Sequence, residues 1–529
     1  MPNYPGEVLF YRLRLLIFYG GYGIINITTS NPEVKMNKSS TTRATAALMA
    51  LLVLCGLLFG CSEKPEEPTD TTVSEATVDT QPEETKFDPF AHLGDTDEYR
   101  DSEFCFLNGC TASWFTRNSV LSDELDGDAV SIAVARRNDR VKQKYGVTIT
   151  EISDSNYRTS VETAINTNDL YFDVAMITLM HVYPMAQRHF FYDYHDLEAV
   201  DLSEPWWDQN AVNDLSVCGK LYFCTGSFDT TRFDSIRCLA FNKDLLTSLG
   251  LESPYTLVDE NRWTIDKFIE MGQAAQIDYG EDSRFTDEDT YGLASYDSII
   301  CDMLLSGCGI KYLTKNSDDE IIYDMDTDRL TIAVDKIRGI LHTPGFTFDS
   351  NSSAMKPYLR GMDDRVLEQL LIEGKALFYS ECLANTRYFR ESSMAYGIIP
   401  PPKYDEDQER YYSIMINPFV YTIPAVSDDP QRTGFLLDAL MAASHDTVVP
   451  AYYDITLVGK IARDPETVRM LGIVFDSLSY NIHISNVTVR STIQSQIISN
   501  SSSVVSALKR ISGIIPKTLE QVNGAMRGS

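Results

Sequence analysis

Positive charge is scarce in this chain: 45 lysines and arginines stand against 76 aspartates and glutamates, for a formal net charge of −31. Such a surface repels phosphodiester backbones and anionic headgroups, which argues against nucleic acid or an acidic lipid face as a partner. A solvated acidic exterior is the plain reading. No Cys-x-x-Cys pair occurs among the ten cysteines, so a zinc ribbon or thioredoxin-type site is not written here. Cys105 with Cys110, Cys218 with Cys224 and Cys301 with Cys308 read as bridges or as buried free thiols, and spacing does not choose between them. Gly-x-Ser-x-Gly, His-Glu-x-x-His, Gly-x-x-x-x-Gly-Lys-Ser/Thr and Gly-x-Gly-x-x-Gly are all missing. Beyond the N-terminal region no eighteen-residue apolar run occurs, so no segment of the body reads as a membrane span.

What is present suits a large globule. At 529 residues the chain exceeds what one core usually organises, so two lobes are expected. Hydrophobic content of 43% and aromatic content of 11% supply ample core. Residues 1–35 carry an apolar patch interrupted by Arg12 and Arg14, and they read as a mis-assigned leader before a second start at Met36. From Met36, Lys38 and Arg43 give the positive end, and Ala46 to Phe59 the apolar segment, of an export signal over 36–60. Leu58, Gly60 and Cys61 resemble a bacterial lipobox, which implies acylation of Cys61, although Phe59 departs from the usual small residue. A plain secretory signal or a membrane anchor is the alternative. Residues 61–103 follow as an acidic disordered tether: Ser62 to Glu103 holds fourteen acidic and three basic residues, too little apolar surface to fold.

The body opens at 104. Phe104–Leu107 is a short apolar run, and Ala129, Ile132, Ala133, Ala135 and Val141 mark an amphipathic helix that stops at Gly146. Val147–Ile152 alternates as a strand, Tyr157–Asn166 suits a helix, and Phe172–Ile177 reads as a buried strand. This alternation predicts parallel pairing with helices on the sheet faces, and ligands then sit beyond the carboxyl ends of the strands. Thr178, Met180 and His181 fall at that mouth. Adjacent Trp206 and Trp207 cannot both enter one core from a helix, so at least one is expected at a surface or cleft; flat aromatics there would stack on sugar rings. A packed aromatic cluster is the alternative. Further on, Tyr291–Ser295 and Ile310–Leu313 read as strands around a helix from Asp297. Asp324, Asp326 and Asp328 imitate a calcium loop, but Arg329 replaces the required glycine, so they read as a turn and cap for the helix Leu330–Leu341.

One stretch organises the rest. Gly219-Lys220-Leu221-Tyr222, then a run ending Asn242-Lys243-Asp244-Leu245-Leu246, then Gly250-Leu251, then Trp263-Thr264 before a helix, closely resembles the crossover of extracellular solute-binding proteins, the capture subunits of ABC importers of the maltose-binding-protein type. Gly374–Glu381 and Tyr396–Pro402 resemble that family's later strand motifs, and Tyr452, Tyr453, Lys460, Arg463 and Asp464 resemble a signature of its clostridial members. The resemblance implies an α/β, two-lobed, type II periplasmic-binding-protein-like fold, with mixed sheets flanked by helices and a hinge between lobes. Lobe 1 would comprise 104–238 with 412–460, and lobe 2 would comprise 239–411 with 461–529. It also implies a cleft in which Trp114, Trp206, Trp207, Phe228 and Tyr379 stack on the solute. Thr178, His181, Asp229 and Glu381 would hydrogen-bond it, with Phe419 beside them. No cofactor, metal or catalytic residue is called for. The implied partners are a solute, sugars first, and a permease, with a monomer held by its N-terminal lipid at the outer face of the cell membrane. Two alternatives stay open: a surface glycosidase using paired carboxylates, which needs no short motif, and a peptide-binding importer subunit.

Overall fold

The computed structural model describes residues 88–527, apart from 112–118, 123–126, 352–354, 356–364, 390–391, 416–417, 454–461, 481, 483–487 and 502. The chain divides after Thr85, and everything described belongs to the unit that follows. Cys61, Trp114 and Lys460 lie outside the described residues.

In chain order, β1 is Glu103–Asn108, α1 Ala129–Tyr145, β2 Thr148–Ser153, α2 Tyr157–Thr167, β3 Val174–Thr178, α3 Leu179–Ala186 and α4 Gln209–Leu215. The crossover leads to β4 Arg237–Asn242, α5 Lys243–Ser248, α6 Ile265–Ala274, β5 Tyr291–Ser295 and α7 Asp297–Gly307. Next come β6 Thr314–Lys315, β7 Ile321–Ile322, α8 Thr327–His342, β8 Thr347–Asp349, α9 Val366–Ile372, β9 Ala376–Cys382 and β10 Tyr396–Ile399. The chain returns through β11 Ser413–Ile414, β12 Phe419–Thr422 and α10 Pro430–Pro450, then α11 Pro465–Asp476, β13 Leu478–Ser479, α12 Val489–Ile498, α13 Val504–Ile511 and α14 Ile515–Arg527.

Two sheets carry the fold. The first has the order β12-β3-β1-β2, with β1 parallel to β2 and β3, and β12 antiparallel to β3. The second has the order β10-β4-β9-β5-β8, in which β5 runs parallel to β8 and β9 while β4 runs antiparallel to β9 and β10. All six residues of β4 are buried, as a central strand covered on both faces requires. Helix α1 shows why its ends fall where they do. Asp128 accepts the amides of Val130 and Ser131, and Gly146, at φ 72°, closes the last turn on Lys142.

Several expectations change at this level. Ile310–Leu313 is not a strand. The cap of α5 is Asn242, whose Oδ1 accepts the Leu245 amide at 2.8 Å. The cap of α8 is as expected, Asp326 accepting the amides of Asp328 and Arg329, and Pro516 falls in the first turn of α14, where a proline costs no hydrogen bond, so α13 and α14 are separate helices. Residues 88–102, grouped with the tether by composition, lie against the first sheet's helices: Phe90 is buried, and Tyr99 meets Phe435 edge-on at 5.2 Å. Phe90 and Tyr99 seat a segment whose charge suggested otherwise.

The tryptophan pair is the largest correction. Trp206 and Trp207 are 3% and 1% exposed, so neither lines a cleft. They sit in a non-helical turn before α4, where Trp207 bridges to Gly226, and successive side chains there can reach one point. That point is Asp438 of α10: its Oδ1 accepts the Trp206 indole at 3.0 Å and the Trp207 indole at 2.7 Å.

Candidate functional site

The carboxyl edges of both sheets meet at the same crossover. Phe419 stands opposite Thr178 at the end of β3. Four residues earlier, Met415 bridges Ile236, and the next residue, Arg237, faces Cys382 at the end of β9. The end of the first sheet and the end of the second therefore look onto one place, where the rule for parallel strands puts a ligand.

On the first sheet, three polar side chains form a closed triangle. The Tyr157 hydroxyl lies 3.0 Å from Thr178 Oγ1 and 2.8 Å from His181 Nδ1, and Thr178 Oγ1 lies 3.0 Å from His181 Nδ1. Tyr157 opens α2 and reaches back over the strand ends because Gly109 leaves room: a Cβ there would come within 2.7 Å of the Tyr157 ring. Burial lowers the His181 pKa, and Arg158 adds to the effect, so the imidazole is neutral at neutral pH and keeps one donor and one acceptor. The Phe419 ring meets Tyr157 edge-on at 6.4 Å, giving the triangle an apolar wall. Beside it Asn108 donates to Glu151 Oε1 at 2.7 Å.

On the second sheet, Arg237, which opens β4, pairs with Glu381 near the end of the antiparallel β9, and Glu381 Oε2 also accepts the Cys382 amide at 2.6 Å. Nearby, Asp349 accepts the Asn351 amide at 3.0 Å, and Asn351 donates to Asp297 at 3.0 Å. Burial raises the Asp349 pKa, with Asp297 adding to it.

Of the residues expected to touch solute, Thr178, His181 and Phe419 are brought together, and Glu381 lies on the facing sheet in an ion pair. The structure turns the others inward. Phe228 is fully buried, stacked on Phe106 at 4.6 Å. Tyr379 is 1% exposed and donates to Glu368 Oε1 at 2.7 Å. Asp229 is 2% exposed and holds the Thr231 amide at 2.6 Å. Aromatic type marked Phe228 and Tyr379 in the sequence, but Tyr379 sits further back along β9, where α9 covers the strand and Glu368 takes its hydroxyl. Tyr157, Asn108 and Arg237 were missed; a charged residue opening the apolar run Cys238–Phe241 was the available signal for Arg237.

Two cavities among the described residues lie elsewhere. One of about 530 Å³ is bounded by Asn242, Gly374 and Met394, and one of about 260 Å³ by Phe172, Asp173 and Arg432. Both are at the opposite ends of the sheets, where β9 and β3 begin, and neither adjoins the triangle.

Two α/β lobes whose strand ends face one crossover define the two-lobed fold of the maltose-binding-protein type of solute-binding protein. No protein-family model and no curated protein matches the sequence. Solved structures do match: a cyclo/maltodextrin-binding protein complexed with maltotetraose superposes with a TM-score of 0.51 at 11% identity, covering 80% of this chain and 96% of that one. UspC of M. tuberculosis superposes with a TM-score of 0.50 at 12% identity, covering 80% of this chain and all of that one, 100%.

Proposed function

We propose that this protein captures a carbohydrate, an oligosaccharide in the first instance, between its lobes and releases it chemically unchanged to an ABC permease. The observation that carries the reading is the Tyr157–Thr178–His181 triangle with Phe419 at the carboxyl edge of the first sheet. A saccharide offers hydroxyls and apolar C–H faces, and this cluster offers neutral donors and acceptors beside an aromatic wall. The neighbour that held maltotetraose supports the sugar class. Closure over the solute would desolvate it between the two edges and give the permease a shape to recognise, with no bond made or broken. Acylation at Cys61 and the acidic segment behind it would hold a monomeric body at the outer face of the membrane.

The test uses protein lacking residues 1–61 against a panel of linear and cyclic glucans, monosaccharides and peptides. A glucan is expected to raise the melting temperature, since binding to the folded state alone stabilises it, and no reducing sugar should be released. Tyr157→Phe, which keeps the ring and removes the hydroxyl, should weaken that binding about tenfold while leaving unliganded stability within about 1 kcal/mol. Steady hydrolysis by homogeneous protein would favour the glycosidase, and stabilisation by peptides alone would favour the other importer class.

A further inference from the structure

Away from the crossover, the two halves of the molecule grip each other a second time. Between α7 and α8 the chain makes the β6–β7 hairpin, with Asp319 in its turn at φ 59°. This hairpin docks on the segment 213–222, which belongs to the first sheet: Leu221 donates to Asp193 and Cys224 bridges Tyr421 of β12. Asp319 accepts three times, through its carbonyl from the Cys218 amide at 2.7 Å, through Oδ2 from the Gly219 amide at 3.0 Å, and through Oδ1 from the Ser216 hydroxyl at 3.1 Å. Lys315, paired with Asp319 at 2.7 Å, donates to the Ser216 carbonyl and hydroxyl at 3.0 Å each and to the Asn213 carbonyl.

The C-terminal helix completes the contact. The Asn523 side chain donates to the Ile321 carbonyl at 2.9 Å and accepts the Ile321 amide at 3.0 Å, binding the hairpin edge as another strand would. From the same helix, the Met526 carbonyl accepts the Tyr222 hydroxyl at 3.0 Å and the Asn523 carbonyl accepts the Cys218 thiol at 3.6 Å. Under these polar groups the apolar core runs unbroken from Leu221 and Phe223 to Ile321, Leu519 and Val522.

We infer that this clasp is a second pivot, so that opening and closing of the lobes is a rotation about the line joining it to the crossover. Two rigid bodies fastened at two separate places keep one rotational freedom, about the line through both. A contact of this kind holds its spacing while the strand ends part, because separating it would strand the buried Tyr222 hydroxyl and the Met526 carbonyl and open the apolar core beneath them. The inference rests on the two-lobed reading but not on any solute.

It is tested without saccharide, on the full chain, by amide exchange of the peptide spanning 216–222 and by solution scattering. In the unchanged protein that peptide should be protected as strongly as β1. Asp319→Ala should raise its exchange at least tenfold and increase the radius of gyration, with helical circular dichroism retained; Asp319→Asn, which keeps Oδ1 as an acceptor, should fall between. If Asp319→Ala does not fold, Lys315→Met gives the same readout by removing the donor to Asn213 and Ser216. Exchange at loop rates in the unchanged protein would overturn the pivot. So would scattering that stays superimposable once the clasp peptide has lost its protection. A chain that binds no sugar still answers the question.

Discussion

Arg137→Ala is expected to cost about 3–5 kcal/mol of folding stability, read as a lower denaturant midpoint. Arg137 lies on the inner face of α1 and is fully buried. No carboxylate meets its guanidinium within ion-pairing distance among the described residues. Its donors go instead to the carbonyls of Phe228 at 2.7 Å, Ser119 at 3.0 Å and Val120 at 2.9 Å, and to the Asn138 side chain at 2.9 Å. The guanidinium also lies 4.1 Å above the Phe228 ring. Burial pulls its pKa down to about 9, against the weaker opposing pull of Asp229 and Glu151. Alanine would relieve that desolvation, but it would leave the carbonyls of Phe228 and Ser119 without donors, at about 1–3 kcal/mol each, while Val120 keeps the Asn138 amide at 2.8 Å, and it would open a cavity in the core. Arg137→Lys should recover only part of the loss, since an ammonium cannot serve carbonyls spread around a planar fork. A midpoint unchanged in the alanine variant would mean that these carbonyls find water.

The second large effect is at Asp438. Asp438→Ala should cost about 2–4 kcal/mol, because it strands the indole N–H groups of Trp206 and Trp207 in a dry core. It also frees His92, whose Nε2 lies 2.5 Å from Asp438 Oδ2 and whose ring meets Trp206 at 4.6 Å. Burial draws the His92 pKa down, but the hydrogen bond and charge of Asp438, with Glu204 and Asp201 further off, outweigh it and raise the pKa above the ordinary 6.5. A histidine whose folded pKa is raised lends stability that is whole below its unfolded pKa and fades as pH rises through the folded value. The unchanged protein should therefore lose a small part of its stability as pH rises from the ordinary 6.5 through the raised folded value, and Asp438→Ala should lose less over that window. Midpoints taken at both ends measure the difference; equal slopes in the two proteins would remove His92 from the account.

How much of this was written in the sequence depends on what kind of signal each part needs. The strands β1, β3, β5, β9 and β10 follow apolar runs bounded by glycine, asparagine or a cap, and α1 carries both of its stop signals at Asp128 and Gly146. Ile310–Leu313 and Leu221–Cys224 have the same composition yet pair in no sheet, because they are buried in the core as irregular chain and burial alone does not specify a ladder. Thr178, His181 and Phe419 could be placed because position on a strand end is a property of order along the chain. Trp206, Trp207, Phe228 and Tyr379 could not, because residue type says that a ring wants a partner and not which partner it finds. Arg137 gave no sign, as its value lies in three carbonyls distant in sequence.

The account stands or falls on whether the lobes shut around a sugar. Solution scattering of the protein lacking residues 1–61, alone and with saturating linear maltodextrin, is the most direct measurement. A smaller radius of gyration with the sugar recovered intact is the predicted result; sugar bound at saturation with an unaltered scattering curve, or sugar returned as cleavage products, would contradict it.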